Sequence, residues 1–480
     1  MEERTEKQIQ TDVEAREQAQ FFKMTKTPIP KLIISLGIPT MLNMMVTSLY
    51  NLADTYFVSG ISEQATGAVT VCLSLMSIIQ AIGFTLGMGS GSIVSRLLGA
   101  RKQKEADTVA SSAFFAAGAL GLLVTILGFV FLEPLMWLLG ATKETGVPVT
   151  TFEYAKQYSQ YILIAAPFMC MSFVLNNLLR AQGKAVLSMV GLIAGAVVNV
   201  VLDPLLIYTA GLQMRGAALA TCISQCLSFG ILLYMFLSGK TIARILLSAI
   251  SKKAKVYLDV LSTGFPSFCR QILASLCTVL LSWAVKPYDG ALAALGVVQK
   301  VFMFAFSISL GIGQGYQPVL GYNYSAKRYD RVRSAYLFTL GFSTVLMICF
   351  ASVCGICAPK IMSAFLSNEN SVEIGTLALR LQCICMPLLP LNFMAGVTYQ
   401  VVGSKIAAAV LSVSRQGLFY MPAVLILPSP SVLGLFGVQC SQAVSDFCAA
   451  IFCLPFTFAF FKSLKKVAEN NEITENDSIK

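Results

Sequence analysis

The sequence predicts an all-α membrane protein with twelve transmembrane helices in two pseudo-symmetric six-helix bundles. Three observations carry this. The chain of 480 residues is 56% hydrophobic and only 12% charged, where a soluble domain carries about 25% charged residues. No soluble core could hide that much apolar surface, so the solvent must be lipid. The charges gather in short clusters between apolar runs, each long enough to cross a bilayer at about 20 residues per span. The second half of the chain also repeats the first.

In order, the runs lie near residues 32–59, 66–92, 108–132, 157–179, 185–209, 216–238, 257–285, 291–320, 334–357, 377–401, 406–428 and 433–461. Pro39, Pro167, Pro266, Pro387 and Pro422 fall inside them. They should kink these helices rather than end them, because a membrane bundle can re-satisfy the freed carbonyls. The domains follow: an N-terminal tail 1–30, an N-lobe 31–239 holding spans one to six, a linker 240–256, a C-lobe 257–461 holding spans seven to twelve, and a C-terminal tail 462–480. Both tails are polar and read as solvated, the C-terminal one as disordered. The N-terminal stretch has no apolar signal-peptide core.

The net charge is +11. Its bases sit in short loops, which is the pattern of topology-setting charges and not of a nucleic-acid groove. Alternate loops carry Arg96, Arg101, Lys102 and Lys104; Arg180 and Lys184; Lys240, Arg244, Lys252, Lys253 and Lys255; Lys327, Arg328, Arg331 and Arg333; and Lys405. The intervening loops carry Lys143, Lys156, Arg215, Lys286 and Lys360. Basic loops stay in the cytoplasm, so both termini are expected there, on a multi-pass protein of the cell membrane.

The repeat shows at matching places. Gly37-Ile-Pro39 in the first span pairs with Gly264-Phe-Pro266 in the seventh. The stretch GMGSGSIVSRLLGARKQKEAD from Gly87 pairs with GQGYQPVLGYNYSAKRYDRVR from Gly313. Gln182-Gly183-Lys184 pairs with Val402-Gly403-Ser404-Lys405, and GLQMRGAALATCISQ from Gly211 with GLFGVQCSQAVSD from Gly434. Six spans per half make the halves face the same way, the parallel-repeat arrangement of many transporters. The glycines 87, 89, 91, 311, 313 and 315 suit close helix approach or local unwinding. No Gly-Lys-Ser or Gly-Lys-Thr follows them, which disfavours a phosphate loop.

Over residues 25–460 the chain resembles the MATE family, the multidrug and toxic compound extrusion transporters, and within it the DinF-like branch. The stretches that carry the resemblance are YNLADTYFVSG (50–60), LRAQGKAVLSMVGLIAGAVVNVVLDPLLI (179–207) and GIGQGYQPVLGYNYSAKRYDRVR (311–333). The resemblance implies a cation-coupled antiporter that exports amphipathic, usually cationic, organic compounds in exchange for H+ or Na+. It also implies an ion-binding aspartate on the first span, matched by Asp54, working with an asparagine and an aspartate on the fifth, matched by Asn199 and Asp203. The acidic residues that the NorM-like branch carries on the seventh and tenth spans have no match here. Asp259 sits at the edge of span seven, and span ten has none.

The residues support this independently. A carboxylate at bilayer depth costs on the order of 2.5–3.5 kcal/mol on insertion scales, which makes it a functional candidate by default. Asp54 and Asp203 stand 23 and 19 residues beyond Lys31 and Lys184, a height difference of about 6 Å at 1.5 Å per residue. Asn199 is one turn before Asp203, on the same helix face. Two carboxylates in a poorly hydrated chamber need neutralising by a proton or, given their oxygen donors and the amide oxygen, by a hard cation such as Na+. The bland alternative for Asp54 is a buried aspartate capping polar neighbours such as Asn51 or Thr55.

The C-lobe carries Arg270, Lys300, Arg415 and Asp446 at membrane depth. Spans eleven and twelve are joined by a short Pro-Ser-Pro turn, so Arg415 and Asp446 are expected to pair. The pair is either structural or part of a network that gates the lobe or meets an anionic substrate group. Candidate cavity residues are Asn51, Asn176, Asn177, Gln80, Gln299, Tyr316 and Met45. No cofactor is expected beyond the coupling ion. The partners expected are small organic cations or drugs and membrane lipid, with no nucleic acid, and the chain is expected to be monomeric.

Two rival functions fit the sequence less well. A flippase for lipid-linked saccharides shares the architecture and would use Arg270, Lys300 and Arg415 on a pyrophosphate, but the N-lobe carboxylates favour cations. A membrane enzyme lacks support: the chain has no histidine, hence no His-metal site or His base. Among the 14 cysteines, Cys354 and Cys357 form a C-x-x-C at a helix end, read as packing residues with redox pairing the alternative.

Overall fold

The computed structural model describes the backbone of residues 2–479 apart from 145, 146, 148 and 430, and the side chains of those residues apart from 2–13, 51, 63 and 470–479. Among the described residues there is no strand, and twelve helices are long and apolar enough to cross a membrane.

A leading helix α1 (Glu2–Lys26) precedes the first half's spans: α2 (Ile29–Ser59), α3 (Glu63–Gly99), α4 (Gln103–Val130), α6 (Thr151–Ala181), α7 (Ala185–Pro204) and α8 (Gln213–Leu237), with a short α5 (Leu132–Leu138) after α4. The second half repeats the order. Its spans begin with α9 (Ala254–Ala284), α10 (Ala291–Ser325) and α11 (Tyr329–Ile356), followed by a short α12 (Ala358–Phe365). Span ten is α13 (Glu369–Cys385) and α14 (Leu389–Val402), joined by a 3₁₀ turn at Met386–Leu388 where Pro387 removes a donor. Span eleven is α15 (Lys405–Val413) and α16 (Met421–Ile426), joined by a π-helical turn over Ser414–Tyr420, and span twelve begins α17 (Gly434–Ile479). The repeat-equivalent span five also ends in a π turn, Leu205–Thr209, directly after Pro204. Pro39, Pro167 and Pro266 lie inside continuous helices.

The N-terminal tail differs from expectation. Glu2–Lys26 is helical, and Met24 and Thr25 are buried. The carbonyls of residues 24, 25 and 27 accept bonds from Asn323, Arg328 and Arg331. The C-terminal tail continues α17 to Ile479. Its Lys- and Glu-rich sequence is helix-forming, with Lys465 and Glu469 one turn apart and 3.9 Å from each other.

Two compact units result. The first contains residues 1–20 and 42–272, the second 21–41 and 273–480. These do not coincide with lobes cut at the linker, because each half's leading span changes unit partway. In the first unit, α3 and the start of α9 approach so closely that a Cβ on Gly264 would lie 1.8 Å from the Thr85 carbonyl oxygen. In the second, α10 meets the start of α2, and a Cβ on Gly315 would lie 2.5 Å from Gly37 Cα. Gly37 and Gly264 are the glycines that the repeat aligns.

Within the first unit, α6 is the most buried span and packs against α3, α4 and α8. The lipid-facing side of α4 shows Leu122, Leu123, Ile126, Leu127 and Val130, a stripe at helical spacing. The linker is a strap fastened to this unit by side chains. Gln182 Oε1 accepts from the amides of Ile242 and Ala243 at 2.6 and 3.0 Å. Asp107 accepts from Arg244 N at 2.8 Å, and the Ser111 and Ser112 hydroxyls from Leu246 and Ser251 N. On this side α1 adds Arg16 to the Gly239 carbonyl. Glu17 nearby has its carboxyl raised above the usual range, first by burial and then by the charge of Asp107.

Candidate functional site

Four helices of the first unit bring one polar chain into its apolar interior. Asp54 comes from α2, Tyr158 from α6, Asn199 and Asp203 from α7, and Thr221 from α8. All are buried, Asp203 completely. The Tyr158 hydroxyl donates to Asp54 Oδ2 at 3.3 Å and lies 3.4 Å from Thr221 Oγ1. Asn199 Nδ2 reaches Thr221 Oγ1 at 3.4 Å and Asp203 Oδ1 at 3.5 Å. The one-turn spacing of Asn199 and Asp203 thus places both on the inner face of α7.

Three acceptor oxygens in this chain have no hydrogen-bond partner among the described residues: Asp54 Oδ1, Asn199 Oδ1 and Asp203 Oδ2. A buried acceptor without a donor costs about 1–3 kcal/mol, more when charged. Oxygen donors alone, with no histidine and no thiolate in the chain of bonds, suit a proton or a hard monovalent cation. No cluster of three or more His, Cys, Asp or Glu exists among the described residues, so the donor set does not resemble a transition-metal site.

A cavity of about 90 Å³ adjoins this chain. On the same measure one water needs about 10–15 Å³, so there is room for several waters or a small organic group. It is lined by Met44, Thr47 and Tyr50 of α2, Gln80 and Phe84 of α3, Met169, Phe173 and Asn176 of α6, Leu192, Gly195 and Ala196 of α7, and Ser224, Gln225 and Ser228 of α8. Asn199 and Thr221 complete the lining. These two residues therefore belong both to the cavity wall and to the carboxylate chain.

The expected cavity residues separate into four groups. Gln80 and Asn176 line the cavity. Asn177 does not; its amide donates to the Phe173 carbonyl and its oxygen accepts from Arg180, a helix-internal role. Met44, one residue before Met45, takes the lining position. Tyr316 and Gln299 belong to the second unit. Tyr316 is fully buried, edge-on to Tyr336 and 3.4 Å from Thr398 Oγ1, so it is core and not cavity. The Asn51 side chain lies outside the described residues. Tyr158, Thr221, Tyr50 and Gln225 escaped the sequence reading; a single hydroxyl or amide in an apolar span carries too small an insertion cost to signal a site.

In the second unit Arg415 Nε lies 2.6 Å from Asp446 Oδ1, as the short turn between their spans predicts. Gln442 and Gln382 donate to the same carboxylate. Lys300 is exposed, and Arg270 belongs to the first unit. Cys354 and Cys357 are both free thiols.

Comparison with known proteins bears on both units. A family model described as MatE matches residues 39–205 and 266–426. The multidrug export protein MepA of Staphylococcus aureus is 25% identical over 436 residues, 90% of this chain and 94% of that protein. MepA of Staphylococcus saprophyticus is 24% identical over 438 residues, with the same coverage. Among solved structures, an outward-facing multidrug resistance MATE family transporter of the MOP superfamily superposes with a TM-score of 0.87 at 26% identity, covering 92% of this chain and 98% of that one. A MOP superfamily transporter of Pyrococcus furiosus, whose reversed binding-pocket polarity suggests a different function, superposes with a TM-score of 0.86 at 27% identity, covering 92% and 98%.

Proposed function

We propose that this chain, which belongs to the MatE family, is a secondary active multidrug efflux transporter that exchanges an inward-moving H+ or Na+ for amphipathic, often cationic, organic compounds. The carrying observation is the cavity wall shared with the carboxylate chain: Asn199 and Thr221 face the cavity while bonding toward Asp203 and Tyr158. An ion neutralising Asp54 and Asp203 competes with a cationic compound for the same field. Occupancy by one therefore disfavours the other, and that differential affinity is what exchange requires. Apolar and aromatic lining from Met44, Phe84, Met169 and Phe173 provides adaptable contact for varied compounds. The two repeats supply alternating access, in a multi-pass protein of the cell membrane with both termini cytoplasmic.

A flippase for anionic lipid-linked sugars would need free bases. Of the three it would draw on, Arg415 is already committed to Asp446, so this function is the weaker one. The test is efflux of an organic-cation dye from cells expressing the chain, with the proton and sodium gradients collapsed separately. Export should stop when one of the two is lost and in the Asp54→Asn variant present at equal level in the membrane. Undiminished export by that variant would refute the assignment, and rescue of cells lacking their lipid-carrier flippase would favour the rival.

A further inference from the structure

The repeats differ at the place where the first unit holds its carboxylates. The register that sets Lys184 against Lys405 puts Tyr420 opposite Asn199 and Val424 opposite Asp203, and the register of Gly37 with Gly264 puts Leu281 opposite Asp54. The second half therefore has no copy of the first-unit acid site. It has an acid elsewhere: aligning Gly216 with Gly437 puts Asp446 opposite Gln225, a cavity-lining residue, and Arg415 falls opposite Ala194, next to the cavity-lining Gly195.

The contrast in satisfaction is sharper than the contrast in sequence. Asp54 and Asp203 each leave an oxygen without a partner. Asp446 leaves none. Its Oδ1 accepts from Arg415 Nε at 2.6 Å and Gln442 Nε2 at 3.2 Å, and its Oδ2 from Gln382 Nε2 at 2.8 Å. The π turn presents Arg415, the Ser445 hydroxyl holds its carbonyl at 2.6 Å, and the guanidinium sits over the rings of Phe302 and Phe306 at 5.0 and 5.9 Å. Titratable side chains near the pair include Cys277, Cys385 and Tyr420.

We infer that Arg415 is a resident counter-ion: a fixed cation that neutralises Asp446 permanently, so that the second unit exchanges no coupling ion and the first unit alone is ion-driven. This rests on Asp54 and Asp203 being the coupling site. A guanidinium held by an aromatic pair, a π turn and a carboxylate cannot leave as a mobile ion does. Arg415 and Asp446 therefore call for no mobile counter-ion during the cycle. Arg415 is thus a positioning residue, and the ion dependence of transport, not its rate alone, reports on it.

The test uses the full chain in proteoliposomes, with ethidium efflux measured against proton concentration and against sodium concentration. Replacing a buried ion pair with apolar residues of similar volume is tolerated, so the Arg415→Met/Asp446→Leu double variant should keep ethidium efflux and its ion dependence within about twofold of the unmodified chain. Arg415→Gln alone leaves Asp446 needing a mobile partner. Its ion dependence should steepen, the Hill coefficient rising from about one toward two. Loss of ethidium binding or of ion dependence in the double variant overturns the inference, as does an unchanged Hill coefficient in a membrane-inserted Arg415→Gln. Should the double variant not reach the membrane, the reversed pair Arg415→Asp/Asp446→Arg asks the same question with the same expected result. If Asp54→Asn keeps full ion dependence, the first-unit assignment is what has failed.

Discussion

The Tyr158 hydroxyl donates to Asp54 Oδ2 across 3.3 Å, joining α6 to α2 inside the first unit. This one bond ties a candidate ion carboxylate to the most buried span, and through Thr221 to Asn199 and the cavity. Tyr158→Phe keeps the ring and removes the donor. Efflux at a fixed ion gradient should fall about tenfold, the size of one hydrogen bond to a charged group, with protein level unchanged. Dye efflux normalised to membrane protein checks this.

Residues with one role and residues with two should separate. Gln80 lines the cavity but is not part of the carboxylate chain, so Gln80→Ala should raise the dye concentration for half-maximal efflux a few-fold, about the loss of one neutral hydrogen bond, and leave ion dependence alone. Asn199 has both roles. Asn199→Ala should move both quantities. Dye titrations at several ion concentrations distinguish the two patterns.

Gly264→Ala adds one carbon where Thr85 O stands 1.8 Å from its ideal position. The α3–α9 crossing must then open, costing about 1–3 kcal/mol as overpacking and lowering the unfolding temperature in detergent. Gly341→Ala makes the same chemical change where nothing lies within 4 Å. It should be neutral or stabilising by up to about 1 kcal/mol through helix propensity.

The strap predicts a proteolysis result. Gln182→Ala strips the acceptor from the amides of Ile242 and Ala243, each worth about 1–3 kcal/mol if left buried and unpaired. Trypsin cleavage after Lys240 and Arg244 should accelerate about tenfold or more, read by the rate at which the intact chain disappears.

How much of this the sequence disclosed depends on how loudly each residue type speaks in lipid. Asp54 and Asp203 were legible because charge at bilayer depth is expensive, and Asn199 because it stands one turn from Asp203. Arg415 and Asp446 were legible because a short turn makes their spans antiparallel neighbours. Tyr158 and Thr221 were silent, since one hydroxyl among apolar residues is cheap and its partner lies on another helix. Tyr316 was misplaced because an aromatic on α10 looks the same in sequence whether it faces core or cavity. The division of α2 and α9 between units was hidden for a related reason. Gly315 announces close approach but not which helix approaches, and Gly37 and Gly264 read in sequence only as repeat partners.

The chain's claim to be an ion-coupled exporter is tested most directly by ion displacement. Purified protein in weakly buffered detergent is titrated with ethidium while a pH indicator follows protons and a radiotracer follows bound sodium. Ethidium should release one of the two ions from the unmodified chain, in proportion to binding, and release nothing from Asp54→Asn/Asp203→Asn. Equal release from that double variant would contradict the assignment of the ion to these two side chains.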